Sequence, residues 1–248
     1  MRLARCGYAG DQPRCRRRRR LTRVSVVIPT LDEADRLAPL IETLRREPEL
    51  AEIIVADGGS ADGTPALAQA LGARVIGTEG DRGRQLRAGA DAARGEILLF
   101  LHADSVFPAG GLRALCAALD RDPRVLGGNF RVVFDGGSRF ARGLTAAYPW
   151  LRYFTLYYGD SGIFVRRSIY EAIGGIKPIP IMEDYDFVRR LERAGPTCRI
   201  EQPPLTTSSR KFEGRRASAI IWGWIVIHVL YWLGVSPERL ARLYYPRD

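Results

Sequence analysis

The feature that most constrains this chain is the pace at which short apolar runs alternate with helix-length segments through its first 120 residues. Val24, Val26, Val27 and Ile28 form a β-branched run that stops at Pro29, and Leu37, Leu40, Ile41 and Leu44 follow at helical spacing within 32–47. Further strands are expected at 52–56, 74–77 and 97–101, with helices at 65–71, 84–93 and 110–120. Strands and helices alternating at this pace imply a mainly parallel sheet covered by helices on both faces. Ligands in such sheets bind beyond the carboxyl ends of the strands, where Asp57 and Asp104 fall. The second half reads as strands at 127–134 and 162–166 and helices at 170–175 and 183–194. Between the strands lies an aromatic segment with Tyr148, Trp150, Tyr153, Phe154, Tyr157 and Tyr158. No long Pro/Gly/Ser linker divides the chain, so a single open α/β domain is expected.

Charge is unevenly spread. The chain carries 38 Lys+Arg against 28 Asp+Glu, a net charge of +10, and Arg14, Arg16, Arg17, Arg18, Arg19, Arg20 and Arg23 crowd the start. Like charges this dense repel one another, so 1–22 is expected to be a disordered basic arm outside the fold. No aromatic residues interleave with the arginines, and nucleic acid is not an expected partner. The block leads into patterned strand sequence and not an apolar segment, so it does not read as a signal peptide. Cys6, Cys15, Cys116 and Cys198 have no metal-site spacing and suggest no disulfide framework, which suits a reducing compartment. His102 and His228 are the only histidines, which excludes zinc chemistry built on several of them. His228 sits in an apolar run and reads as a packed or interfacial residue.

Each candidate site segment has two readings. Asp57-Gly58-Gly59-Ser60-Ala61-Asp62-Gly63-Thr64 follows a strand and precedes a helix; it is a capped turn or a place where backbone closely approaches a ligand. Leu98-Leu99-Phe100-Leu101 runs into His102 and Asp104. Two positions apart in a strand, these would share a face and suit a divalent cation holding a diphosphate; otherwise they cap the next element. Glu183, Asp184 and Asp186 complement a helix dipole or supply a general base. Arg82, Arg84 and Arg87, like Ser209, Arg210, Lys211 and Arg215, meet phosphate or face solvent.

Taken together, these segments resemble the family 2 glycosyltransferases of GT-A fold. The opening Val26-Val27-Ile28-Pro29-Thr30-Leu31-Asp32-Glu33 is similar to that family's first strand and nucleotide-contacting loop. Asp57-Gly58-Gly59-Ser60 with Asp62-Gly63-Thr64 resembles its second signature, Leu101-His102-Ala103-Asp104 stands where it usually carries Asp-x-Asp, and Glu183-Asp184 resembles its Glu-Asp motif. The resemblance spans about 24–215. Arg82-Gly83-Arg84-Gln85-Leu86 with His102-Ala103-Asp104 also resembles a narrower branch of small bacterial glycosyltransferases. Their genes are associated with radical-SAM and arsenosugar or seleno-domain proteins.

The resemblance implies a GT-A domain over 23–215 and inverting, metal-assisted transfer of a sugar from a nucleotide sugar, UDP-linked, to the hydroxyl of a small-molecule or lipid-linked acceptor. Pro29, Thr30, Glu33, Asp57 and Gly59 would hold the nucleoside side, with Asp57 on the base. Arg84 would neutralise phosphate, and Asp104 with His102 would bind Mg²⁺ or Mn²⁺. Glu183 and Asp160 would face the sugar or acceptor, and Asp184 would deprotonate the acceptor. Arg210 and Lys211 would close over the diphosphate. The rival readings are a nucleotidyltransferase and a non-catalytic nucleotide-sugar or lipid-binding protein.

The last segment, 216–248, is expected to hold an apolar helix over 217–234 and a short terminal helix. Three placements compete for the apolar helix: along a membrane surface, packed on the domain or in a homodimer, or across a bilayer. The expected location is the cytoplasm, extending to the inner face of the cell membrane.

Overall fold

The computed structural model describes residues 23–212, 214 and 216–245. The expected basic arm over 1–22, with Cys6 and Cys15, lies outside the described residues, as do Arg215 and the side chain of Lys211. The first half runs β1 (Val24–Thr30), α1 (Ala34–Arg45), β2 (Leu50–Asp57), α2 (Thr64–Ala70), β3 (Arg74–Gly77), α3 (Arg82–Ala92), β4 (Ile97–Phe100) and α4 (Gly111–Arg121). The second half runs β5 (Gly127–Phe134), α5 (Arg139–Leu151), β6 (Ile163–Arg166), α6 (Arg167–Ala172), α7 (Glu183–Ala194), β7 (Thr197–Thr207), α8 (Ala217–Trp232) and α9 (Pro237–Tyr244).

The strands make one sheet in the order β3-β2-β1-β4-β6-β5-β7. All neighbours pair in parallel except β6, which is antiparallel to both β4 and β5. This is the expected α/β fold with a mixed, mainly parallel sheet. Alternate residues of each strand feed opposite layers. Val26, Ile28 and Leu99 pack under Leu37, Ile41 and Leu44 of α1 and Leu115 of α4. Val27, Leu98 and Phe100 face Leu86 of α3 and Phe187, Val188 and Leu191 of α7.

α3 and α6 start two and three residues earlier than expected, and β4, α5 and β7 differ more substantially. β4 stops at Phe100, so His102 and Asp104 stand in the turn after it and not on a strand face; Ser105 N–H donates to the His102 carbonyl at 3.1 Å. α5 occupies part of the aromatic segment, capped by Ser138, whose Oγ accepts from Ala141 N–H at 3.0 Å. β7 went unrecognised because Pro203 and Pro204 interrupt its pattern. The structure accommodates them where the register jumps: Phe130 pairs with Ile200 and Val132 with Leu205, so the prolines fall where no regular ladder needs their missing N–H.

The loops after β1 and β2 are stitched together. Asp57, paired across the sheet with Thr30, is 4 % exposed. Its Oδ2 accepts from Gly59 N–H at 3.0 Å and Ser60 N–H at 2.9 Å; its Oδ1 accepts from Ser60 Oγ at 2.5 Å and Thr30 Oγ1 at 3.0 Å. Asp32 N–H donates to Ser60 Oγ, Ala61 N–H to Asp32 Oδ1, and Glu33 N–H to Thr64 Oγ1. Burial works to raise the Asp57 pKa, but the Ser60, Gly59 and Thr30 hydrogen bonds outweigh it and hold the carboxyl below its ordinary value.

α8 packs by one side on the domain, burying Ile220 and Ile227; Ile227 joins Ile181, Met182, Tyr185 and, from α9, Leu240. Its other side, with Trp222, stays exposed. No helix among the described residues is long and apolar enough to cross a membrane.

Two stability measurements check this account. A Cβ on Gly128 would stand 1.9 Å from the Cys198 carbonyl oxygen, so Gly128→Ala forces β5 from β7 and should cost on the order of 1–3 kcal/mol by chemical denaturation. Gly137, with nothing within 4 Å of its Cβ position, should tolerate Ala within about 0.5 kcal/mol. Because the folded Asp57 pKa is depressed, its contribution is full above the unfolded value and is lost as pH falls through the folded one. Asp57→Asn should therefore lower Tm at neutral pH and flatten the decline of Tm below about pH 4.

Candidate active site

Asp184 stands at the start of α7, one residue after Met182 and Glu183 turn the chain into the helix; Met182 has a left-handed φ of 65°. The Asp184 Oδ2 accepts from Gly159 N–H at 2.8 Å and from Arg82 Nη2 at 3.3 Å, while its Oδ1 accepts from Tyr185 N–H at 2.7 Å. Gly159 permits this approach: a Cβ there would lie 2.8 Å from His102 Nε2 and 3.3 Å from Asp184 Oδ2.

Arg82 is the cation at the centre. Its Nε donates to Glu183 Oε1 at 2.5 Å, and its Nη1 lies 3.2 Å from His102 Nε2. A guanidinium can only donate, so His102 Nε2 accepts and the ring proton sits on Nδ1. Burial opposes the Arg82 charge, but Glu183 and Asp184 outweigh it and push its pKa up. Glu183 is 1 % exposed, and burial raises its pKa against the pull of Arg82. Glu183 thus lies beneath Arg82 as its counterion.

Arg82, His102, Asp104, Asp160 and Asp184 line one cavity of about 660 Å³. The Asp160 carboxylate accepts from the Tyr148 hydroxyl; burial first, then the charge of Asp160, pushes the Tyr148 pKa well up. The cavity continues past Tyr158 along α8, where Trp224, Ile225, His228 and Trp232 form its wall. Arg82 also borders a second cavity of about 810 Å³, shared with Asp81, Glu238 and Arg242.

Pro29, Thr30, Glu33, Asp57 and Gly59 gather at the carboxyl ends of β1 and β2, outside the lining of the 660 Å³ cavity. Both oxygens of Asp57 are taken up by its own turn. Arg210 links the two regions: its Nη2 is 4.0 Å from Glu33 Oε1 and 3.8 Å from Asp104 Oδ2. Arg84 is not brought to the centre. It is 59 % exposed, 4.0 Å from Asp81, and absent from the cavity lining. α3 begins two residues earlier than expected, capped by Asp81, and places Arg82 inward instead. Tyr148, Tyr158, Phe212 and Trp224 also reach the cavity, although nothing in their spacing marked them.

Residues 25–174 match glycosyl transferase family 2. A glucosyl-3-phosphoglycerate synthase from Mycolicibacterium paratuberculosis is 34 % identical over 96 residues, covering 34 % of this chain and 29 % of that protein. The glucosyl-3-phosphoglycerate synthase of Mycobacterium tuberculosis, solved with Mn²⁺, UDP and glucosyl-3-phosphoglycerate, superposes with a TM-score of 0.59 at 21 % identity, over 86 % of this chain and 81 % of that one. The mannosyltransferase PcManGT of Pyrobaculum calidifontis, solved with GDP-Man and Mn²⁺, gives 0.60 at 21 % identity, over 83 % and 62 %. These two solved structures share the fold. With the family match running from β1 through the Arg82, His102 and Asp160 segments, this chain belongs to glycosyl transferase family 2.

Proposed function

We propose that this protein is an inverting glycosyltransferase that moves a sugar from a UDP-linked donor to an acceptor hydroxyl, with Asp184 as the base. The carrying observation is that Asp184 and Asp104 line one cavity, with Arg82 bridging Asp184 to His102. Asp184 is held in place by Gly159 N–H and Arg82 and takes the acceptor proton. Asp160, the other carboxylate beside it, is engaged by Tyr148, so direct displacement with one base, and hence inversion, fits the site. Asp57 serves the nucleoside side by fixing the turn that Gly59 and Ser60 form. Arg210, between Glu33 and Asp104, meets the diphosphate. Glu183 positions Arg82.

The donor set fits a magnesium or manganese ion held largely by substrate. Among the described residues no three His, Cys, Asp or Glu side chains gather as a closed metal site. Asp104 offers a hard carboxylate, and His102 turns its Nε2 lone pair to Arg82, so Asp104 would be the principal protein ligand, with the substrate diphosphate supplying further oxygens. When bound, such a cation offsets the charge of the departing diphosphate. The relatives solved with Mn²⁺ and UDP or GDP-Man support this reading. The two segments that resemble the small bacterial branch meet in space through Arg82 and His102, which supports that narrower placement. Free thiols at Cys116 and Cys198 agree with a cytoplasmic site of action.

Asp184→Asn should lower sugar transfer by about 10²–10⁴-fold while UDP affinity is kept, read by product formation across UDP-sugars with Mn²⁺ present. Asp104→Ala should abolish the part of UDP affinity that depends on Mn²⁺, measured by titration with and without chelator; an unchanged metal effect would remove Asp104 from its role. Arg82→Ala leaves Glu183 buried and unpaired and should cost on the order of 2–4 kcal/mol, less than a fully enclosed pair because Arg82 is 38 % exposed. Adding Glu183→Gln should restore much of that stability in a double-mutant cycle.

A further inference from the structure

The cavity changes character along its length. Its inner end carries Asp104, Asp160 and Asp184, while its outer end is walled by Ile221, Trp224, Ile225, Val229 and Trp232 of α8. Three polar side chains of this helix, His228, Tyr231 and Trp232, are turned to protein partners. His228 Nδ1 donates to the Trp224 carbonyl at 2.7 Å, which leaves its Nε2 to accept from the Tyr158 hydroxyl at 2.8 Å. Trp232 Nε1 donates to the Tyr185 hydroxyl at 2.9 Å, and the Tyr231 hydroxyl donates to Asp186 at 3.4 Å. The helix wall therefore offers ring faces and methyl groups, with few hydrogen-bonding sites for a sugar or a nucleotide. The volume of about 660 Å³ is that of a pocket for a whole ligand and not for one hydroxyl. No charged side chain occurs between Arg216 and Glu238.

We propose that the acceptor is an amphiphile, its hydroxyl head at Asp184 and its hydrocarbon chain lying along α8 between Tyr158 and Trp232. This rests on the glycosyl-transfer reading for the head group, and on the cavity wall alone for the chain. The chain occupies the apolar end because that end is continuous with the carboxylates and is lined chiefly by aliphatic and aromatic side chains, with His228 and the Trp232 indole already paired.

The test uses the full-length protein and a series of ω-bromoalkanols from four to twelve carbons. A bromine seated on the α8 wall quenches Trp224 and Trp232. Saturable quenching is expected, with affinity rising roughly fourfold per methylene until the cavity is filled. Ile225 is half exposed, and Ile225→Arg should weaken binding by about tenfold or more, because a charge then lies where the chain must. Trp222, 66 % exposed and outside the cavity lining, serves as the control: Trp222→Arg should leave the affinity unchanged. Equal loss in both variants, or self-association that disappears with Trp222→Arg, overturns the proposal in favour of a helix face that covers a second copy. Affinity independent of chain length overturns it outright. UDP titration with Mn²⁺ on the same samples separates the two readings. Intact UDP binding with no chain-length effect leaves glycosyl transfer standing and removes the amphiphile; the reverse pattern keeps the chain site and removes the donor.

Discussion

The arrangement of the site depends on a single guanidinium shared among three partners from two other parts of the chain. Arg82 comes from the first turn of α3, Glu183 and Asp184 from the first turn of α7, and His102 from the turn after β4. A planar fork with five donors can serve all three at once; a point charge cannot. The cost of placing Glu183 in the interior is met only while that fork remains beside it. Because α3 and α7 pack on the same face of the sheet, the fork also ties the start of one helix to the start of the other.

Much of the fold was legible because its first half is built from local signals. β-branched runs gave the strands, helical spacing gave the helices, and the acids at the strand ends marked the site. β3, β5 and α7 have the bounds their sequence patterns imply. What was not legible is tertiary. Nothing in Arg82-Gly83-Arg84 says which arginine turns inward; that follows from where Asp81 caps α3. β7 hides its strand character behind Pro203 and Pro204, tolerable only beside the irregular register with β5. His102 and Asp104 do face one cavity, but a turn brings them there, not the strand alternation that suggested it.

The two halves of the cleft are also built differently. At the carboxyl ends of β1 and β2, loops 31–34 and 58–64 are cross-linked by short polar side chains, so the backbone itself is the scaffold. Around the 660 Å³ cavity, the walls are side chains of α5, α7, α8 and α9, held by aromatic edge-to-face contacts such as Phe212 with Trp224 and Tyr185 with His228. Polar backbone turns leave a sequence signature at fixed spacing; aromatic walls assembled from distant helices do not. The first part of the cleft is therefore legible in short motifs and the second only in packing.

The bulge in β7 has a bearing on how molecules of this protein meet one another. β7 and β3 are the two margins of the sheet. The four residues from Glu201 to Pro204 stand opposite Arg131 alone, and two of them lack an N–H to offer a neighbour. At the opposite margin β3 is only four residues long and begins with Arg74. Such margins resist strand-by-strand growth into ribbons, a protection that exposed sheets otherwise need charges or covering loops to achieve. At the β7 margin Val106 adds such a cover, its N–H donating to the Thr206 carbonyl at 2.9 Å, so bulge, prolines and bridge together leave little free ladder there.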